Sequence, residues 1–173
     1  MQFDLEQAIE VLEQTPGVVD ALLRRKSAGW LNCRIKPDAF SPIDVLGHLI
    51  YGEMTDWIPR ARIILECRDT RAFDPFDRFA GGPLIEGQSA GQLLDRFAEL
   101  RRKNLEELRG FALNREQMDW KGLHPALGSV TLGQLLATWA VHDLNHIAQV
   151  VRVMANEYTE AVGPWCEYLS ILK

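Results

Sequence analysis

Apolar residues recur at spacings of three and four along four stretches of the chain, a pattern that predicts long amphipathic helices. The first stretch carries Phe3, Leu5, Ile9 and Leu12, and Thr15-Pro16 is expected to break or kink it. Thr15 can cap and Pro16 can start a second piece with Val18, Val19, Leu22 and Leu23, running to about Lys26 and closed by Ser27-Ala28-Gly29. After a loop from Trp30 to Phe40, Ser41-Pro42-Ile43-Asp44 supplies an N-cap, a proline at N1 and an acid at N3. The second long helix starts there, with Val45, Leu46, Leu49, Ile50, Trp57, Ile64 and Leu65 on its apolar face and an expected kink at Pro59.

From about Asp69 to Gly87 the periodicity lapses over a stretch too long for an ordinary helix connection. It is either a lid or binding loop, or a packed crossover whose Phe73, Phe76 and Phe79 cover the bundle. Ser89 caps a third helix bearing Leu93, Leu94, Phe97, Leu100, Leu105 and Leu108, in which Arg101, Arg102, Lys103, Glu106 and Glu107 suggest a solvated face. Gly110 ends it, and Leu113 to Val130 is an irregular connection. Thr131-Leu132-Gly133-Gln134 is a capping box opening the fourth helix, which should run to about Ala155. Gly163-Pro164-Trp165 to Leu169 suggests a short last helix that docks aromatic and apolar groups. These elements predict an all-α protein, a four-helix bundle with a long crossover loop and a short C-terminal helix, forming one domain over residues 1–173.

Composition narrows the function classes. A net charge of -5 without a basic cluster argues against a nucleic-acid partner. No apolar run approaches membrane length and no export signal opens the chain, so the expectation is no membrane partner and a cytoplasmic location. Cys33, Cys67 and Cys166 are scattered, which fits a reducing compartment and offers no sulfur metal site.

The chemistry concentrates in Trp139 to Gln149. His142 and His146 stand at i and i+4, where two imidazoles on one helix can converge on an ion. They straddle the boundary between the apolar and polar faces, which gives a ligand pair a dry wall on one side and access for water or substrate on the other. His48, on the second helix with the small Gly52 one turn on, is a candidate third ligand. Bundle metal sites are built in this way from facing helices. His124 stands beside Pro125 in a loop, where surface placement outweighs a pocket role.

Two carboxylates, Asp143 and Glu53, fall within apolar arcs where a free charge is costly, so each needs a partner. Asp143 is either an outer acceptor for a ligand imidazole or a buried acid that is hydrogen-bonded or paired with an arginine; Glu53 is either a proton-handling or outer carboxylate or, the stronger expectation, a partner of an arginine from another helix. Gln149 joins them as a candidate outer partner.

Ser41-Pro42-Ile43-Asp44-Val45-Leu46-Gly47-His48-Leu49, followed later by His142-Asp143-Leu144-Asn145-His146-Ile147-Ala148-Gln149, resembles the DinB-like superfamily. Thr15-Pro16-Gly17, Gly128-Ser129-Val130-Thr131-Leu132 and Gly163-Pro164-Trp165 extend the likeness over nearly the whole chain. The resemblance implies a four-helix bundle, often a homodimer, whose His48, His142 and His146 hold one divalent ion with water completing the shell. It further implies a metalloenzyme acting on a small-molecule substrate, with relatives that include bacillithiol- and mycothiol-dependent transferases and mycothiol-dependent maleylpyruvate isomerase. The leading expectation is therefore a transferase using a low-molecular-weight thiol as cofactor. The alternatives are a metal-dependent hydrolase and a metal-binding stress protein without turnover. Zinc, nickel, iron, copper and manganese all suit three imidazoles. His142-Asp143-x-x-His146 is a poor match to the zinc-protease helix, since Asp replaces Glu and Arg152 stands where the extended motif has its last histidine.

Overall fold

The computed structural model describes residues 3–173. The α-helices are α1 (Leu5–Leu23), α2 (Ala28–Asn32), α3 (Pro42–Thr55), α4 (Trp57–Cys67), α5 (Gly82–Ile85), α6 (Ala90–Gly110) and α7 (Leu132–Asn156). Short 3-10 turns cover Arg68–Thr70, Glu116–Asp119, Gly163–Tyr168 and Ser170–Leu172. The long helices form a four-helix bundle in which α1 packs on α6 and α7, and α3 packs on the same two from the other side. No helix among the described residues is long and apolar enough to cross a membrane.

Reciprocal caps set where three of the helices begin. Ser41, Ser89 and Thr131 each accept the N3 backbone N–H, while Asp44, Gln92 and Gln134 accept the backbone N–H of the cap in return. These starts agree with the sequence expectation, and they fix the rotational phase of the helices that carry the histidines.

Several expectations are corrected. α1 runs through Pro16 without a break, and Thr15 does not cap a new helix; its hydroxyl donates to the Val11 carbonyl at 3.0 Å. The kink expected from Pro59 does occur, at Asp56 in the turn before it, where the proline leaves the Thr55 carbonyl without its N–H, whereas the stretch after Ser27 forms the short α2 instead of an open loop. The connection from Leu113 to Val130 contains a hairpin, β1 (Lys121–His124) with β2 (Gly128–Thr131), paired antiparallel with Lys121 opposite Thr131 and His124 opposite Gly128. The C-terminal turn does not bury its aromatics: Trp165 and Tyr168 are largely exposed.

The crossover after α4 is packed. Phe73 is buried in the core and Phe76 lies 5.4 Å from the His48 ring, whereas Phe79 faces solvent. Gly81 meets Gly47 backbone to backbone.

The core divides into two apolar clusters, one around Leu12, Trp57, Ile64 and Trp139, the other around Val19, Leu46, Phe97 and Val150. Arg101 sits between them, 1% exposed, its guanidinium 5.2 Å from the Phe97 ring centre and 5.1 Å from that of Trp139. The solvated face expected for the α6 charges therefore excludes this residue. Arg101 donates to Asp143 at 2.6 and 3.1 Å, to Glu53 at 2.8 Å and to the Leu12 carbonyl at 2.7 Å. Trp139 Nε1 also donates to Glu53 Oε1, at 3.1 Å, and the Asn104 amide donates to Glu53 Oε2 at 3.0 Å. The bond to Leu12 explains the intact α1: Pro16 has no N–H to give the carbonyl four residues back, and the Arg101 guanidinium replaces it.

Candidate metal centre

His48 stands in the second turn of α3, and His142 and His146 lie one turn apart near the middle of α7. Packing of α3 on α7 brings the three rings together, with one nitrogen of each within 4.8 Å of the others. The Nε2 atoms of His48 and His142 are 3.1 Å apart, as are those of His142 and His146. Two nitrogens each about 2.0–2.1 Å from one ion would stand about 2.9 Å apart at a right angle and about 3.3 Å apart at the tetrahedral angle, so the observed spacing fits a shared cation.

Protonation favours the same interpretation. His48 Nδ1 faces the Arg78 carbonyl at 3.3 Å, so this ring donates its proton there and turns the Nε2 lone pair inward. His146 Nδ1 likewise donates to Gln149 Oε1 at 2.8 Å. Burial holds His48 down to about 4, aided by the neighbouring His146, and His142 down to about 3, aided by both other rings. Burial also lowers His146, opposed by its bond to Gln149 and by the Asp143 charge. Three neutral rings aim nitrogens at one point, where a divalent ion would convert lone-pair repulsion into bonding. His142 Nδ1 is buried without a hydrogen-bond partner among the described residues, and Nε2 is the nitrogen of that ring that meets the other two imidazoles.

Gln149 bonds to a ring of the triad, and Glu53 and Asp143 bond to none. Arg101 takes both acids, which is the paired-acid alternative for each. Their network nevertheless underlies the centre, because Asp143 is the chain neighbour of His142 and Trp57, stacked on Trp139, lies 5.0 Å from the His142 ring.

A cavity of about 350 Å³ opens beside the triad, with His48 and His142 in its wall. Trp57, Phe73, Phe76 and Leu135 make most of it apolar. His124 lies on the hairpin and lines this cavity without joining the triad; its Nδ1 accepts the backbone N–H groups of Ala126 and Leu127, both at 3.1 Å. Two further cavity residues, Asp56 and Arg60, are both over nine-tenths buried and were not singled out from the sequence. Their i,i+4 spacing at the end of one helix and the start of the next was visible, but only the turn at Asp56 aims them at the site. A larger groove of about 650 Å³, between the start of α1 and the start of α7, contains no histidine.

A helical bundle with three convergent imidazoles, two of them in the wall of an open cavity, defines a centre that could hold a metal ion. The chain belongs to the DinB superfamily, whose family profile matches residues 11–150. Among solved structures it is similar to YfiT from Bacillus subtilis, described as a probable metal-dependent hydrolase with an unusual four-helix bundle topology. That likeness has a TM-score of 0.75 at 23% identity, over 88% of this chain and 87% of that one. It is also similar to TT2238, a four-helix bundle protein, with a TM-score of 0.57 at 22% identity over 85% of this chain and 98% of that one. No curated protein matches the chain.

Proposed function

We propose that this protein is a divalent-metal-dependent enzyme that activates a nucleophile beside His48, His142 and His146, and that the nucleophile is a low-molecular-weight thiol delivered to a small electrophile. The observation that carries the enzyme reading is that two of the three convergent histidines, His48 and His142, stand in the wall of an open cavity, from which a substrate could reach an ion they hold. A closed shell would suit a storage or scaffold role. When bound, an ion supplies Lewis acidity that lowers the pKa of the nucleophile. The chain's own groups do the rest. His48 and His146 are held in one tautomer by the Arg78 carbonyl and Gln149, and Trp57, Phe73 and Phe76 exclude water from the space in which the electrophile sits.

Hydrolysis is the second reading, favoured by the description of YfiT as a probable metal-dependent hydrolase. One experiment separates them. The protein, purified without an affinity tag and loaded in turn with zinc, nickel, manganese or iron, is assayed against 1-chloro-2,4-dinitrobenzene with a panel of thiols, and against nitrophenyl esters without thiol. Chloride release that requires one thiol supports transfer; ester cleavage without thiol supports hydrolysis. Neither activity with any metal, in protein carrying one ion per chain, overturns the enzyme reading.

A further inference from the structure

The cavity is not electrically neutral. Its wall carries two guanidiniums, Arg60 and Arg78, against one carboxylate, Asp56, in a chain whose overall charge is -5. Arg60 is 7% exposed and Asp56 8%, an unusual depth for an ion pair. The two touch at 2.5 Å, yet off the hydrogen-bonding direction, so that Arg60 Nε and Asp56 Oδ1 are both left without a hydrogen-bond partner among the described residues. Arg60 Nη2 reaches the Asp74 carbonyl only at 3.4 Å, and Nη1 has no partner among the described residues. A guanidinium has five N–H donors in a planar fork matched to a carboxylate. Leaving the buried Nε unused costs stability, and Nη1, which is not fully buried, is open to a group in the cavity.

Other groups point the same way. His124 Nδ1 already accepts two backbone N–H groups, so the neutral ring carries its proton on Nε2 and is a donor. Arg78 stacks on Phe40 and Phe79, at 5.4 and 4.9 Å from their centres, and has no ion pair among the described residues. Burial pushes Asp56 up to about 6, which weakens its hold as a counter-charge to Arg60. Trp57, Phe73 and Phe76 offer aromatic walls to the remainder of a guest.

We propose that the cavity binds a small substrate with an apolar, aromatic-sized body and a carboxylate, and that the unsatisfied Arg60 guanidinium is the anchor for that carboxylate. This inference rests on the reading of the cavity as the substrate site. In it Arg60 is a specificity residue: it holds one end of the guest so that the other end meets the triad.

The test uses the full-length protein stripped of metal, so that a carboxylate cannot bind through an ion. The probes are 1-naphthylacetate and its uncharged counterpart 1-naphthylacetamide, with affinities taken from fluorescence titration. The expected result is at least about tenfold tighter binding of the carboxylate, with a shift of the Arg60 Nε–Hε resonance that the amide does not cause. Asp56→Asn with Arg60→Met removes both charges together, and should bring the two affinities within about twofold while leaving that of the amide unchanged. Equal binding of the probes by the unaltered protein, or a preference that survives the double substitution, overturns the proposal. If the double variant does not fold, the Arg60 resonance decides: no shift with the carboxylate overturns it as well. Failure of the metal centre is a separate outcome, because none of these measurements involves an ion.

Discussion

Gly47 and Gly81 form a backbone-to-backbone seam: a Cβ on Gly81 would lie 2.5 Å from the Gly47 carbonyl carbon and 2.7 Å from the His48 nitrogen. Two glycines, one inside α3 and one in the crossover, allow that loop to rest directly on the turn that carries His48. Gly81→Ala should therefore lift the crossover, at a cost of about 1–3 kcal/mol, and remove the Arg78 carbonyl from His48 Nδ1. Urea unfolding reads the first effect and a competitive chelator titration the second. Unchanged metal affinity would detach the crossover from the site.

The alanine series on the histidines is the direct test of the centre. His48→Ala, His142→Ala and His146→Ala should each reduce affinity by more than the about 10–100-fold expected from Gln149→Ala, which removes only an outer hydrogen bond. His124→Ala should leave stoichiometry and affinity unchanged. Metal per chain and helicity are measured together. Stripping the ion should lower the unfolding midpoint without unfolding the protein, because neither apolar cluster contains a histidine of the triad.

Arg101→Met should be among the most damaging single substitutions. It strands Glu53 and Asp143 in the core and orphans the Leu12 carbonyl, for a loss of about 3–5 kcal/mol. In a Pro16→Ala background the loss should be smaller by about 1 kcal/mol, since the substitution restores the backbone N–H that the Leu12 carbonyl lacks. Urea midpoints of the four proteins give the coupling, and strictly additive effects would refute the exchange of one donor for the other.

Asp143→Asn bears on the same network. Because the carboxylate bonds to Arg101 and not to an imidazole, the expected effect is on stability, about 1–3 kcal/mol, with one ion per chain still bound at saturating metal. A variant of full stability that no longer binds metal would return Asp143 to the role of an outer acceptor.

Acid should weaken the metal-free fold. His48 and His142, held near 4 and 3 against an ordinary 6.5, contribute stability that is complete above about pH 6.5 and is lost as the pH falls toward the folded values, because the unfolded chain binds their protons first. His146 acts in the same direction. Asp56, raised from 3.8 to about 6, acts in the opposite one: its contribution fades as the pH rises through that interval. Three imidazoles outweigh one carboxylate, so the urea midpoint in chelator should fall between about pH 6.5 and about pH 4. A flat profile would mean that the rings are solvated.

Much of this molecule was legible in advance. The starts of α3, α6 and α7 could be read because a capping box is a local device, complete within four residues. The convergence of His142 and His146 could be read because i,i+4 spacing converts directly into geometry, whereas His48 joined them through the family resemblance. Arg101 was misplaced although the signal existed: Leu94, Phe97, Leu105 and Leu108 stand at seven and four residues on either side of it, which puts it inside the apolar stripe. Pro16 reads as a breaker in the sequence because the donor that replaces its N–H comes from Arg101 on another helix, beyond any local rule. The hairpin was hidden because four-residue strands are too short to show alternation. Asp56 and Arg60 gained meaning only from a cavity that the crossover and the hairpin complete.

The groups that meet at Arg101 come one from each of α1, α3 and α7, on a guanidinium carried by α6. Leucines that fill a core respond mainly to volume, and a bundle made of them alone could exchange neighbouring helices at small cost. A planar fork that requires two carboxylates and a carbonyl in fixed directions responds to order and rotation as well. Moving α3 or α7 away from α6 would leave a carboxylate buried without its partner, and moving α1 would leave the Leu12 carbonyl unpaired. This single side chain therefore favours one set of helix neighbours among those the apolar pattern permits, and that set is the one in which His48 faces His142 and His146.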